Sequence, residues 1–314
     1  MELIFNFLLV GIGLTMLYFG ADRLISGSTS LSRKFGINPL VIGLTVVAFG
    51  TSAPEFVVSI SSAMQGLSDV ALGNVVGSNI VNIGLILGVT AIVSPIAVSK
   101  SVIRKEIPIM IGVSFLLLAV IIDGKIDLID GALLVTGIIV FTGFSYRSSK
   151  KYTDTEKTPS QILQKNIIPK SILFIAAGLG LLTFGSFLTV DNAVIIGNSF
   201  GISELFMGLT IIAAGTSLPE LITSIVAAKK GHAELSVGNI VGSNIFNILA
   251  ILGISSVISG ITVSDQVLVD VGIMLAFSLV LLPIMRQGFS ISRKEGLILI
   301  AGYVGYVVFL LYRQ

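Results

Sequence analysis

The six residues G-T-S-A-P-E at Gly50–Glu55 decide how this chain folds, and they return as G-T-S-L-P-E at Gly215–Glu220. Each copy places a carboxylate, two hydroxyls and a helix-breaking proline inside a segment that is otherwise apolar. Irregular polar backbone is tolerated at membrane depth only where it is buried in protein or lines a cavity. We therefore interpret the rest of the chain as the scaffold that brings the two copies face to face within a bilayer.

The composition of the chain indicates an integral membrane protein. Its 314 residues are 54% hydrophobic and 11% charged, whereas soluble domains carry about 25% charged residues. Apolar runs of membrane-spanning length recur from end to end, and the first lacks the basic start and cleavage site of a signal peptide. We predict an all-α membrane protein whose ten transmembrane helices lie at about 3–31, 39–64, 70–92, 102–122, 128–146, 170–197, 204–228, 234–258, 265–285 and 295–312.

The chain consists of two sequence repeats, and adding 165 to a residue number maps the first onto the second. Gly43–Ser94 and its counterpart 208–259 are identical at about half of their positions without a gap. Each half contains five predicted spans, an odd number, so the second half enters the membrane from the opposite side. We predict two inverted five-helix repeats, at 1–146 and 170–314, joined by a linker loop at 147–169.

The distribution of basic residues predicts the orientation of the chain. Of its 19 lysines and arginines, 17 fall on one side of the predicted membrane, and only Lys125 and Arg313 fall on the other. By the positive-inside rule the rich side is cytoplasmic. We therefore expect a multi-pass protein of the plasma membrane, with both termini outside the cytoplasm and the 147–169 loop inside it.

Glu55 and Glu220 are the candidate ion-binding carboxylates, because they are the acidic residues near the centres of the second and seventh predicted spans. A charged side chain at that depth is costly, and intramembrane ionisable residues are usually functional. A hydrogen-bonded structural glutamate is the alternative. The recurrence of the residue within the same motif favours a binding role.

The residues around each glutamate offer oxygen atoms. Pro54 and Pro219 have no N–H, so the carbonyls of Gly50 and Gly215 lose their helical donors. An all-oxygen environment with two negative charges and no imidazole suits hard cations such as Ca²⁺ and Na⁺. Back-bonding of the hydroxyls and helix packing are the alternatives. Besides the glutamates, the predicted metal ligands are Thr51, Thr216, Ser52, Ser217, Asn82 and Asn247, with Asn74 and Asn239 as supports.

The motif G-T-S-x-P-E, followed by G-N-x-V-G-S-N-I-x-N, resembles the two alpha-repeats of the cation/calcium antiporter superfamily, within it the sodium/calcium exchanger branch. The resemblance covers essentially the whole chain. It implies exchange of Na⁺ for Ca²⁺ at one central site by alternating access, with the first and sixth spans sliding as a pair. It further implies ligands at Ser78 and Ser243, and carbonyl donors at the outer sodium positions from Ala48 and Ala213.

Asn247 stands where some members of that superfamily, including the potassium-dependent exchangers, carry aspartate. The resemblance therefore implies a potassium-independent exchanger with one charge fewer at its middle site. The calcium/proton branch usually shows G-N-x-x-E in place of T-S-x-P-E, which disfavours that branch without excluding it.

Several other function classes can be compared with this prediction. A cation channel usually builds its filter from several subunits, and an intramembrane hydrolase would need a paired aspartate, a Ser–His pair or a histidine cluster, which the predicted spans lack. We predict an antiporter, not an enzyme, that functions as a monomer with Na⁺ and Ca²⁺ as substrates and with no cofactor or nucleic-acid partner. A Ca²⁺/H⁺ or other divalent cation/H⁺ antiporter is the alternative.

Overall fold

The computed structural model describes residues 2–149, 167–201 and 213–313, and these are almost entirely helical. Most of the predicted linker loop and the start of the predicted seventh span lie outside the described residues. The helices are α1 Glu2–Phe35, α2 Pro39–Ile42, α3 Ala48–Thr51, α4 Ala53–Met64, α5 Ser68–Val81, α6 Gly88–Val93, α7 Ile107–Val120, α8 Leu128–Ser149, α9 Ile167–Ser199, α10 Ala213–Thr216, α11 Leu218–Lys229, α12 Ala233–Phe246, α13 Gly253–Ser259, α14 Asp265–Arg286 and α15 Arg293–Arg313. Wider, π-helical turns lie at Gly43–Val47, Asn82–Leu87, Val102–Glu106 and Asn247–Leu252, and a tighter 3₁₀ turn lies at Ile121–Asp123. Four two-residue strands are β1 Ile96–Ala97, β2 Lys125–Ile126, β3 Ile261–Thr262 and β4 Ser290–Ile291.

Membrane-spanning helices account for most of the described chain. Eight helical segments are long and apolar enough to cross a bilayer, and the bent pair Pro39–Thr51 and Ala53–Met64 makes a ninth candidate. The prediction of a multi-pass, all-helical membrane protein is therefore confirmed. With 34 and 33 residues, α1 and α9 extend beyond their predicted spans by one to four residues at each end.

Each G-T-S-x-P-E motif interrupts its helix at the serine. Ser52 has φ −79° and ψ 14°, and Ser217 has φ −88° and ψ 10°, so neither continues the helix before it. At the first break the two helical parts are bent by 51°. Glu55 and Glu220 consequently lie in the first turn of the helix that follows, where the positive end of the helix dipole favours a carboxylate.

The segments that carry the asparagines form the centre of the protein. In the segments Ser68–Val93 and Ala233–Ser259, 78% and 89% of the most apolar stretch is buried, against 17% in α1. The start of the second span packs closely on α12, because a Cβ atom on Gly43 would lie 3.1 Å from the Cα atom of Gly238. Small residues permit this approach of two backbones. The motifs and the asparagines are thus held in one buried layer.

Two antiparallel ladders mark opposite ends of the protein. In one, β1 pairs with β4 through Ile96 and Ile291, and in the other β2 pairs with β3 through Ile126 and Ile261. The two ladders are related by the 165-residue offset of the sequence repeat. Because α7 leads from β1 to β2 whereas α14 leads from β3 to β4, these two contacting helices run in opposite directions. We call the two ends the β1–β4 end and the β2–β3 end.

The long helices α1 and α9 form a closely packed pair. A Cβ atom on Gly13 would lie 2.9 Å from the carbonyl oxygen of Gly185, and one on Gly20 would lie 2.9 Å from that of Gly178. Glycine is needed for so close an approach. Towards the β1–β4 end, the pair joins α11 and α12 in an apolar cluster that includes Leu24, Ile25, Val226, Ala227 and Leu235.

Candidate cation-binding site

Two glutamate side chains lie in the buried layer, one from each half of the chain. Glu55 and Glu220 are each only 1% exposed. Each reaches the interior because it opens the helix that follows a motif break. Burial of an ionised carboxylate costs a great deal of free energy unless the group is paired and hydrogen-bonded. The atoms around the two carboxylates therefore decide what they can bind.

Each motif serine is hydrogen-bonded to the glutamate of the other motif. Ser52 Oγ donates to Glu220 Oε1 at 2.8 Å, and Ser217 Oγ donates to Glu55 Oε1 at 2.9 Å. The two bonds are equivalents under the 165-residue offset. They connect the two helix breaks directly, so the predicted meeting of the two motifs occurs in the structure.

The predicted threonine and outer serine ligands lie around the same centre. Thr51 Oγ1 donates to Asn239 Oδ1 at 3.0 Å, and its repeat equivalent Thr216 lies beside Glu55. Ser243 Oγ lies 3.0 Å from the hydroxyl of Ser52 and 3.4 Å from Oε1 of Glu220. Ser78, its repeat equivalent, is buried one helical turn before Asn82. All these hydroxyls can offer lone pairs to a cation.

Asn82 and Asn247 are held by a second crossed pair of hydrogen bonds. Asn82 Nδ2 donates to Asn244 Oδ1 at 3.0 Å, and Asn247 Nδ2 donates to Asn79 Oδ1 at 3.0 Å. Using the amide nitrogens in this way fixes each side chain and leaves its oxygen for another partner. Both side chains are only 1% exposed.

Four buried oxygen atoms of the site have no hydrogen-bond partner within the described part of the chain. They are Oε2 of Glu55, Oε2 of Glu220, Oδ1 of Asn82 and Oδ1 of Asn247. A buried acceptor without a partner costs about 1–3 kcal/mol, and more when it is charged. The four atoms belong to two pairs of repeat-equivalent residues, so the same vacancy for a partner occurs in both halves of the chain.

The donor set defines the kind of cation that fits. Carboxylate, amide, hydroxyl and carbonyl oxygens are the ligands that Ca²⁺ takes, and they also suit other hard cations. The described residues contain no cluster of three or more His, Cys, Asp or Glu side chains. The site therefore has only two formal negative charges, and its remaining oxygens are neutral.

The carbonyl of Ala48, one of the predicted donors, accepts a hydrogen bond from its own chain segment. The carbonyl of Ala48 accepts the backbone N–H of Ser52 at 3.1 Å, and the hydroxyl of Thr51, which donates to Asn239, lies 3.4 Å from it. The Ala48 oxygen has two lone pairs, so a lone pair that is not used in a hydrogen bond is what it can offer to an ion. Ala213 begins α10, and its side chain lies outside what the structure describes.

Comparison with known proteins places the chain in a family. The family described as "Sodium/calcium exchanger protein" matches residues 5–147 and 170–312. The chain belongs to this family. It is 40% identical to the putative antiporter CaxA of Alkalimonas amylolytica, across 94% of this chain and 95% of that one.

Two further relatives cover nearly the full length of this family member. The sodium/calcium exchanger MaX1 of Methanosarcina acetivorans is 30% identical, across 98% of this chain and 99% of its own. A solved structure of the sodium-calcium exchanger NCX_Mj, soaked with Na⁺ and Ca²⁺, is 31% identical and superposes with a TM-score of 0.84 over 97% of this chain and 98% of that one. The chain is therefore a transmembrane antiporter of the sodium/calcium exchanger family.

Two positioning asparagines of this exchanger-family site were not among the predicted ligands. Asn79 and Asn244 accept the crossed amide bonds, and each donates its own Nδ2 to a methionine sulfur at 3.5 Å, Met274 and Met110 respectively. The signal was present in the sequence, because the two asparagines are repeat equivalents. Each lies three residues before Asn82 or Asn247, next to the face of the predicted ligands. The sequence does not specify that its oxygen accepts from the asparagine of the other half, and the structure reveals that bond.

The predicted supports Asn74 and Asn239 contact the backbone of the glutamates. Asn74 Nδ2 donates to the Glu55 carbonyl at 3.1 Å, and Asn239 Nδ2 donates to the Glu220 carbonyl at 3.5 Å. The same nitrogens also donate to Ser59 and Ser224, at 2.8 and 3.1 Å. Ser59 and Ser224, a third pair of repeat-equivalent serines, were not predicted from the sequence. Together these bonds fix the first turn of α4 and of α11.

His232, the single histidine, lies outside the membrane-spanning segments, directly before α12. Partial burial lowers its pKa, and the positive charges of Arg33 and Lys230 lower it further. The imidazole is consequently neutral at physiological pH. It lies at the β1–β4 end, away from the buried layer that holds the two glutamates.

Proposed function

We propose that this chain exchanges Na⁺ for Ca²⁺ at the site between the two G-T-S-x-P-E motifs. The observation that carries the proposal is the set of four orphaned oxygens on Glu55, Glu220, Asn82 and Asn247. Two of them are anionic and two are neutral, which suits one divalent ion or more than one monovalent ion. The exchanger names of its relatives support the same pair of ions.

The roles we propose for the individual residues follow from their positions. The two glutamates would hold the divalent ion, with Asn82 and Asn247 completing its shell through Oδ1. Sodium ions would share these carboxylates. The further oxygen ligands that we propose are the hydroxyls of Thr51, Thr216, Ser52, Ser217, Ser78 and Ser243 and the carbonyls of Ala48 and Ala213.

The proposed architecture is ten transmembrane helices arranged as two inverted five-helix repeats, acting as a monomer in the plasma membrane. Antiparallel α7 and α14 and the offset-related ladders support the inversion. The loops meeting at the β1–β4 end carry most of the basic residues of the described chain, so we infer that this end is cytoplasmic. Both termini would then lie outside the cytoplasm, and the 147–169 loop inside it.

Obligatory exchange follows from the charge of the proposed site. Without a bound cation, two ionised carboxylates resist removal from water. A bound Ca²⁺ or a set of Na⁺ ions neutralises them, so that the loaded site can be enclosed and reopened on the other side. Transport of one ion therefore requires the return of another, which is alternating access by an antiporter.

Calcium uptake into proteoliposomes tests the proposal. We expect vesicles loaded with Na⁺ to take up Ca²⁺, vesicles loaded with K⁺ or choline to take up none, and Glu55→Gln to abolish uptake. Glu295→Gln is the matched control, because Glu295 caps the start of α15 through the backbone N–H of Ser292 and stands outside the buried layer. It should transport like the unmodified protein.

Other results would assign the chain to a different transport class. Uptake that ignores Na⁺ but follows an outward proton gradient would replace the proposal with a Ca²⁺/H⁺ or other divalent cation/H⁺ antiporter. Uptake that follows the membrane voltage alone would indicate a channel.

A further inference from the structure

The pair α1 and α9 does not meet the two motif breaks symmetrically, because α9 lies against both. A Cβ atom on Gly50 would clash with Leu179, and one on Gly215 would clash with Val190, both of which belong to α9. Their repeat equivalents on α1 are Leu14 and Ile25. Leu14 is 46% exposed, and Ile25 is packed in the apolar cluster with Val226 and Ala227.

A hydrogen bond accompanies the contact between α9 and the second break. Ser186 Oγ donates to the carbonyl of Gly215 at 2.7 Å, and Ser186 is 2% exposed. This carbonyl has lost its helical donor because the residue four positions later is Pro219. Ser186 lies one turn from Val190 on the same face of α9. The hydroxyl therefore replaces the missing N–H from a neighbouring helix.

The first half of the chain has no equivalent donor on α1. The repeat counterpart of Ser186 is Ala21, and that of Gly215 is Gly50, whose carbonyl is freed in the same way by Pro54. If the halves exchange their conformations, α1 takes the place of α9 against both breaks. Alanine then faces the freed carbonyl of Gly50, and the hydrogen bond has no counterpart.

We propose that Ser186 is a positioning residue that favours the conformation in which α9 lies against both motif breaks. Two conformations of an inverted repeat would have equal free energy if the halves were identical, and this hydroxyl is one of the differences that make them unequal. The bond also couples α9 to the segment that carries Thr216 and Ser217. Movement of the helix pair and rearrangement of the site are thereby joined through one buried contact.

Two single-cysteine reporters can measure this equilibrium, because the chain contains no cysteine. Val226→Cys replaces a side chain that is 7% exposed and packs against the α1 and α9 pair, whereas its repeat equivalent Ser61 is exposed. Exchange of the two conformations should expose position 226 and cover position 61. The rate of reaction with a water-soluble maleimide is measured for each reporter in purified protein in choline buffer.

Ser186→Ala should raise the labelling rate at the Val226→Cys reporter about two- to tenfold, because loss of one buried hydrogen bond changes the populations by about that factor. The rate at the Ser61→Cys reporter should not rise. Ser186→Thr, which keeps the hydroxyl, should label like the parent reporter. Ala21→Ser supplies the missing donor to the other conformation and should raise the rate at position 226 in the same way.

The reciprocal reporters separate a shifted equilibrium from loss of structure. An unchanged rate at position 226 in Ser186→Ala would overturn the proposal, as would equal acceleration by Ser186→Ala and Ser186→Thr. Acceleration at both reporters would also overturn it, because it indicates general loosening. The inference rests on the proposed alternating access but not on its ions. These rates are measured without a gradient, so they stand even if Na⁺-driven Ca²⁺ uptake fails.

Discussion

The hydrogen bonds of the site obey the symmetry of the sequence repeat, whereas the packing of the helix pair beside it does not. At the site, the crossed bonds of Ser52 and Ser217 are equivalents, as are those of Asn82 and Asn247. Beside it, α9 contacts both motif breaks, while the matching residues of α1 are exposed or packed elsewhere. The proposed cation ligands are duplicated in the two halves, whereas the contacts of the long helices α1 and α9 with the motif breaks differ between them.

An exchanger must bind its ions in both conformations, and it must also open to one side at a time. A site built from equivalent ligands presents nearly the same oxygens whichever side it opens to. The side to which it opens is set by contacts that can exist in one conformation at a time. Substitutions in the site should therefore act alike in pairs, and substitutions along α1 and α9 should not.

The largest expected effect comes from removing one carboxylate charge. Glu55→Gln and Glu220→Gln should each lower Ca²⁺ affinity at least about 100-fold, which corresponds to about 2.7 kcal/mol. Each variant leaves one negative charge to hold a divalent ion in a buried place. Ca²⁺ binding by isothermal calorimetry on purified protein measures the affinity.

Equal losses in the two glutamate variants would support an equivalent pair of ligands. A loss in one variant and normal affinity in the other would contradict the symmetry inferred from the crossed serine bonds. Thermal unfolding of both variants without Ca²⁺ distinguishes lost binding from lost folding.

A smaller effect is expected from the amide ligands. Asn82→Ala and Asn247→Ala should each weaken Ca²⁺ binding about tenfold, or about 1.4 kcal/mol, because each removes one neutral ligand and leaves the charge unchanged. Asn79→Ala should reproduce part of the loss in Asn247→Ala, since it removes the acceptor that orients the Asn247 amide. Competition between Ca²⁺ and a fluorescent lanthanide ion measures the three affinities side by side.

The sequence could predict that the two motifs meet because the same residue pattern occurs in both halves. A proline, a glutamate and two hydroxyls at equal spacing in both halves indicated a paired break with two carboxylates. The helix face shared by Asn74, Ser78 and Asn82 follows from their spacing of four. These are local patterns, and in a membrane helix local patterns largely determine the structure.

Contacts between distant segments could not be predicted in this way. The bond from Asn82 to Asn244 joins positions 162 residues apart, and nothing in either local pattern specifies that partner. The position of α9 against Gly50 and Gly215 is a packing outcome with a similar origin. An asymmetric arrangement of nearly symmetric halves is set by the balance of many contacts, which a comparison of the repeats alone cannot give.

Protons should compete with Ca²⁺ through the glutamate pair. Like charges repel by about 4 kcal/mol at a separation of about 4 Å and an effective dielectric of 20, and either a cation or a proton would relieve the repulsion between two ionised carboxylates. Ca²⁺ affinity should therefore fall as the pH is lowered from about 9 to about 5. Equilibrium ⁴⁵Ca²⁺ binding across that range measures the dependence, and a flat profile would contradict it.

His232→Gln identifies the source of that pH dependence. Burial and the charges of Arg33 and Lys230 lower the pKa of His232, so its imidazole is neutral over most of this range. The substitution should leave the pH profile of Ca²⁺ binding unchanged. A flatter profile in His232→Gln would show that His232, and not the glutamate pair, causes the pH dependence of Ca²⁺ binding.

The smallest expected effect comes from an ion pair of α1 that has no counterpart in the other half. Asp22 on α1 forms an ion pair with Lys230 at the end of α11, and the repeat equivalents of these residues are Phe187 and Gln65. Both charged groups are partly exposed, and such pairs contribute about 0.2–1 kcal/mol. Asp22→Asn should thus raise labelling at the Val226→Cys reporter by less than about fivefold and leave Ca²⁺ affinity unchanged.

High salt should raise the labelling rate in the same way as Asp22→Asn, since screening weakens the same ion pair. The Ser186 hydrogen bond is buried, so its contribution should not respond to salt.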